Sequence, residues 1–192
     1  MLPMRYRQLG NSGLTVSVVG LGTNNFGMRC DKDTTAAVVN EALDSGITFI
    51  DTADAYSAGQ SEEYIGAALK ARRHDAVVAT KFGARPFGGP AANAPQPPAL
   101  AEQARASRSW IRRAVEASLQ RLQTDYIDLY YLHFPDDKTP MAETLMAMDE
   151  LVKEGKIRYV GLSNHSAWQT VEADWTAQQL HVSRPVAAQN QY

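Results

Sequence analysis

The sequence has one cysteine, Cys30, so no internal disulfide can form, and no second Cys or His stands near it at metal-ligand spacing. That usage fits a reducing compartment, with Cys30 itself a plain loop residue. No apolar run approaches the ~18 residues a membrane-spanning helix needs. The first apolar stretch, 14–21, lacks a small-residue cleavage pattern, so no signal peptide is read and a cytoplasmic location is expected. Charge of one sign is missing as well: 19 basic and 21 acidic residues leave a net charge of -2. This gives no footprint for nucleic acid or an anionic membrane, and points to a small-molecule partner. The segment Gly20-Leu21-Gly22-Thr23-Asn24-Asn25 lacks the third glycine of a dinucleotide fingerprint, and no Gly-Lys-Ser/Thr loop occurs. His74, His133, His165 and His181 are not spaced as metal ligands, so no metal is expected.

What is present is alternation. With 44% hydrophobic residues the chain has material for a substantial core, and a single domain over 1–192 is the natural reading. Six apolar runs of strand length, 16–22, 47–50, 76–80, 127–132, 158–162 and 186–188, alternate with helical patterns, the mark of βαβ units around a parallel sheet. Val39 and Leu43 before Gly46, then Ile65 and Leu69 after Ser61, give the first two helices. Ile111, Val115, Leu119 and Leu122 give a third. Met141, Leu145, Met148 and Val152 give a fourth, with Thr139 as its cap, Pro140 in its first turn and Gly155 as its stop. Trp168, Val171 and Trp175 give a fifth over 166–178, and all five stripes read as core faces. Residues 83–108, rich in Pro, Gly and Ala, read as a flexible loop on the rim where strands end.

Six strands and five helices, preceded by a short β-hairpin, make an incomplete (β/α)8 barrel that stops before strands 7 and 8. If nothing followed Tyr192, the first and sixth strands would be open edges.

Each strand is followed at once by polar side chains. Thr23 and Asn24 follow the first; Asp51, with Asp54 and Tyr56 just beyond, ends the second; Lys81 ends the third. His133 ends the fourth, Ser163 and Asn164 the fifth, Gln189 and Asn190 the sixth. In a parallel barrel these positions converge on one rim, where such folds build their active sites. Hydride addition to a carbonyl leaves charge on oxygen, which needs a proton donor and stabilisation. A phenol, with an ordinary pKa of about 10, becomes a better acid beside an ammonium that stabilises its anion. Tyr56 and Lys81 supply that pair, Asp51 the counter-charge for the lysine, and His133 a hydrogen bond to the carbonyl oxygen. Ser163, Asn164 and Gln189 offer groups suited to a nicotinamide carboxamide. A barrel hydrolase using Asp51, Asp54 and Asp136 is a further reading, but it leaves Lys81 and Tyr56 without work.

The segments Phe49-Ile50-Asp51-Thr52-Ala53-Asp54-Ala55-Tyr56, Ala79-Thr80-Lys81, 128–136 around His133, and 155–164 ending in Ser163-Asn164 resemble those of the aldo-keto reductase family. The resemblance spans essentially the whole chain. It implies Tyr56 as general acid, Lys81 and Asp51 as its modulators and His133 as the residue orienting the carbonyl. It also implies cofactor contacts from Gly22, Thr23, Asp51, Ser163, Asn164 and Gln189. The activity it implies is metal-free reduction of aldehydes or ketones to alcohols with NADPH, NADH being possible. A non-catalytic nicotinamide-binding sensor or regulatory barrel, or an inactive truncated fragment, is the alternative.

Overall fold

A computed structural model describes residues 3–84 and 104–191. Most of the 83–108 stretch therefore lies outside the described residues. A two-stranded antiparallel hairpin, β1 (Tyr6–Gln8) and β2 (Thr15–Ser17), comes first. There follow β3 (Gly20–Gly22), α1 (Lys32–Asp44), β4 (Phe49–Asp51), α2 (Gln60–Leu69) and β5 (Val77–Phe82). Then come α3 (Arg108–Leu122), β6 (Ile127–Leu132), α4 (Met141–Lys153), β7 (Ile157–Ser163), α5 (Ala167–Leu180) and β8 (Pro185–Gln189). Strands β3 to β8 pair in sequence order, all parallel, and curl into six strands of an incomplete (β/α)8 barrel with five helices outside.

Two cores result. The larger lies between sheet and helices: Val39, Ile65, Ile111, Val115, Met148 and Leu151 pack from the helices onto Ile50, Val78, Tyr130 and Leu132. The smaller fills the barrel interior, where Ala79, Leu129 and Tyr131 meet Phe49, Tyr159, Val186 and Leu9 of the hairpin. Leu9 thus plugs the end of the barrel where strands begin, leaving chemistry to the opposite end. Helices α2 and α3 cross closely at Gly66, where a Cβ would lie 2.6 Å from the backbone oxygen of Arg121. Backbone cannot yield as a side chain can, so Gly66→Ala is expected to force the helices apart and cost about 1–3 kcal/mol. Chemical denaturation measures this; an unchanged midpoint would show that the crossing is loose.

Several elements differ from the sequence reading. The run 16–22 is two strands, because the Ser17 hydroxyl accepts from the backbone N–H groups of Thr48 and Phe49 and donates to Val19 O. Those bonds take the place of ladder bonds and end the strand. Strand β5 continues through Lys81 to Phe82, since the ladder pairs Lys81 with Tyr131 and an ion pair neutralises the buried ammonium. Thr139 does not cap α4: its hydroxyl donates to Asp136 at 2.9 Å, and Pro140 is the cap residue. Helix α2 starts at Gln60, one residue before Ser61, after Gly59 in the left-handed conformation.

The largest correction concerns α5. Its start is a capping box between Ser166 and Gln169, but Trp168, Val171 and Trp175 are 67, 68 and 62% exposed. The face turned to the body of the protein is made of Ala173 and Ala177, whose small size lets the helix sit close. No described element covers the tryptophan face. None of the described helices is long and apolar enough to cross a membrane.

Candidate active site

The ends of β4 and β5 and the loop after β4 build the centre. The Lys81 ammonium, fully buried, donates to Asp51 Oδ2 at 2.7 Å, to the backbone carbonyl of Thr52 at 2.7 Å and to the Tyr56 hydroxyl at 3.1 Å. Three donors meet three acceptors, which meets the hydrogen-bonding demand of a buried lysine in full. Tyr56 reaches inward because the chain beyond it turns through a 3-10 segment, Ser57–Gly59, with Ser57 and Ala58 at positive φ. Its ring meets the His133 ring edge to face, centroids 5.8 Å apart.

His133 follows β6, its N–H donating to Phe82 O and its carbonyl accepting from the Asn164 side chain at 2.8 Å. Burial, and secondly the Lys81 charge, push its pKa from 6.5 down to about 4. The imidazole is therefore neutral at physiological pH, and its Nδ1 has no partner among the described residues. Because the folded protein binds this proton less readily than the unfolded chain does, the contribution to stability is present above pH 6.5 and lost as pH falls through about 4. His133→Gln is expected to flatten the acid side of a stability–pH curve over that window, read from denaturation midpoints. Curves that stay parallel would contradict it.

The remaining candidates fall into two groups. Gln189 lies at the rim, its amide donating to Asp51 Oδ1 at 3.0 Å, while its backbone carbonyl accepts from the Ser163 hydroxyl and the Asn164 N–H. Ser163, Asn164, Gln189, Asp51 and His133 thus form one connected network with Lys81 and Tyr56. Gly22 pairs in register with Asp51 and faces open space. Thr23 is different: it is buried, and its hydroxyl donates to Asp51 O at 2.8 Å. Asp54 and Asp136, weighed for a hydrolase, do not join the centre. Asp136 binds the backbone of Ala106 and Lys138. Asp54 sits among Glu62, Arg121 and Arg105, with one carboxylate oxygen sequestered though its side chain reaches a surface cleft, and burial pushes its pKa to about 8.

The open space over Gly22 lies at the rim, where the Asn164 amide donates to His133 O and Ser163 Oγ and the Gln189 amide donates to Asp51. What sequence reasoning missed is the support behind the centre: Ser61, Glu62 and Arg121, which have no rim position to mark them.

A family model described as the aldo/keto reductase family matches residues 18–192. The chain belongs to the aldo/keto reductase family. Among its relatives is the oxidoreductase YrpG of Bacillus subtilis, 39% identical, matched over 98% of this chain and 58% of that protein. A probable voltage-gated potassium channel subunit beta of Arabidopsis thaliana is 36% identical, over 98% of this chain and 55% of the relative. The crystal structure of the thermostable aldo-keto reductase Tm1743, in complex with an inhibitor, superposes with a TM-score of 0.81 at 33% identity, covering 98% of this chain and 63% of that one. The chain spans about half the length of the curated relatives it matches.

Proposed function

We propose that this aldo/keto reductase chain carries the chemical centre of an oxidoreductase that reduces aldehydes or ketones to alcohols with a nicotinamide cofactor, NADPH by preference. The observation that supports it is the Lys81 ammonium, buried and hydrogen-bonded at once to Asp51 and to the Tyr56 hydroxyl. A bound nicotinamide supplies hydride. The residues do the rest: the neutral His133 imidazole donates a hydrogen bond to the carbonyl oxygen and sets its angle, and Tyr56 delivers the proton that quenches the charge arriving there. Lys81 stabilises the phenolate left behind, and Asp51 holds the lysine charged and in place. Gly22, Thr23, Ser163, Asn164 and Gln189 would hold the cofactor's ring end, directly or through Asp51.

Aldehyde-dependent oxidation of NADPH, followed by loss of the reduced cofactor's absorbance, tests the reading. Turnover is expected on small aldehydes, faster with NADPH than with NADH. Cofactor binding without turnover on any aldehyde would favour the second reading, a non-catalytic nicotinamide sensor or regulatory barrel, to which the channel-subunit relative lends support.

A further inference from the structure

Ser61 stands in the first turn of α2, where a serine commonly caps, yet the helix does not use it so. The cap position is Gly59, and no side chain caps the end. Instead the Ser61 hydroxyl is fully buried in a cluster with two threonine hydroxyls, 2.9 Å from Thr52 Oγ1 and 3.0 Å from Thr23 Oγ1. It also lies 3.0 Å from the backbone carbonyl of Thr23.

Each hydroxyl has a single proton, which fixes the direction of the chain. Thr23 spends its own on Asp51 O, and Ser61 spends its own on Thr23 O. The Thr52 proton therefore goes to Ser61. The cluster thus closes around residues 51 and 52, which supply the carboxylate and the carbonyl that hold the Lys81 ammonium. The next residue of α2 works on the other side of the lysine: Glu62 accepts from the hydroxyl of Thr80, the neighbour of Lys81 in β5, at 2.6 Å. Three buried hydroxyls are an expensive choice where alanine and valine would pack without polar demand, and their bonds tie α2 to residue 23 and to residues 51 and 52, which flank the ammonium.

Resting on the reading of the centre given above, we infer that Ser61 is a positioning residue for the reduction: through Thr52 and Thr23 it fixes the carbonyl and carboxylate that hold Lys81 beneath Tyr56. It touches neither substrate nor cofactor. Removing its hydroxyl leaves Thr52 held by its N–H bond to Ala79 O but without its side-chain anchor, and the looser residue lets the ammonium spend part of its time away from the phenol.

The experiment has two arms in the same 192-residue chain. The first needs no turnover: nitrogen-resolved NMR of the Lys81 ammonium follows exchange of its protons with water. Ser61→Ala is expected to speed that exchange by about 5-fold, the worth of one ordinary hydrogen bond. The second arm is kinetic. Ser61→Ala is expected to lower kcat for aldehyde reduction by about 10-fold with KM changed less than about 2-fold, because the loss falls on proton delivery rather than on binding. Thr52→Val cuts the same bond from its other end. The double variant is expected to be no worse than the worse single one, since partners in one bond are not additive. If Ser61→Ala does not fold, Thr52→Val carries both arms. Unchanged exchange and kcat in a folded variant, or losses that simply add in the double variant, would overturn the inference. If wild type shows no turnover, the proposed function fails, while faster Lys81 exchange in the variants still upholds the positioning role.

Discussion

Tyr56→Phe is expected to lower aldehyde reduction by about 10²–10⁴-fold, the usual worth of a placed general acid, with nicotinamide affinity unchanged. The substitution removes one oxygen and leaves the ring where it is, edge to face with His133. Lys81 keeps its bonds to Asp51 and Thr52, so the buried charge stays paired and the fold should tolerate the change. What disappears is the proton that must reach the new alkoxide. Steady-state kinetics alongside a fluorescence titration with NADPH separate the two quantities. Turnover within a few-fold of wild type would remove Tyr56 from the mechanism and leave the ammonium without a catalytic purpose.

The second large effect concerns stability. Glu62 is completely buried between α2 and β5, and Arg121 of α3 reaches it with two nitrogens, Nε at 2.7 Å and Nη2 at 2.6 Å. Replacing that arginine leaves a carboxylate inside the protein with Thr80 as its remaining partner among the described residues, beside Asp54, whose own carboxyl is already pushed to about 8 by burial and by Glu62. Breaking one side of a buried pair costs more than the pair contributes, because the surviving charge cannot be solvated. Arg121→Leu is therefore expected to lose about 3–5 kcal/mol in denaturant unfolding, whereas Arg121→Leu with Glu62→Leu recovers most of it. A single variant within about 1 kcal/mol of wild type would mean that water reaches Glu62 freely.

Much of the fold was legible because strands and helices have different periods: the stripes of α1 to α4 and the six strand runs follow from where apolar residues recur. The rim was legible for a related reason, since polar residues at strand ends stand out against apolar runs. Where the reading failed, tertiary partners decided. Trp168, Val171 and Trp175 have the spacing of a core face, but periodicity says only that a stripe exists, not which way it points. Ser17 and Thr139 were diverted by hydrogen bonds to Thr48 and Phe49 in one case and Asp136 in the other, contacts that no local window contains. Ser61, Glu62 and Arg121 look like ordinary polar residues of helices. Their burial comes from the close crossing of α2 and α3 and from threonines on neighbouring strands.

The bond from the Gln189 amide to Asp51 joins the second strand of the sheet to the sixth, 138 residues apart along the chain. On a flat sheet these two strands would be separated by three others and could not touch, so the contact exists only because the sheet has rolled up. Curvature and chemistry are in this sense one event. As the polypeptide leaves the ribosome, the carboxylate that steadies the lysine must wait for 138 further residues to be made before its second oxygen finds a mate, so the reactive mouth cannot settle strand by strand.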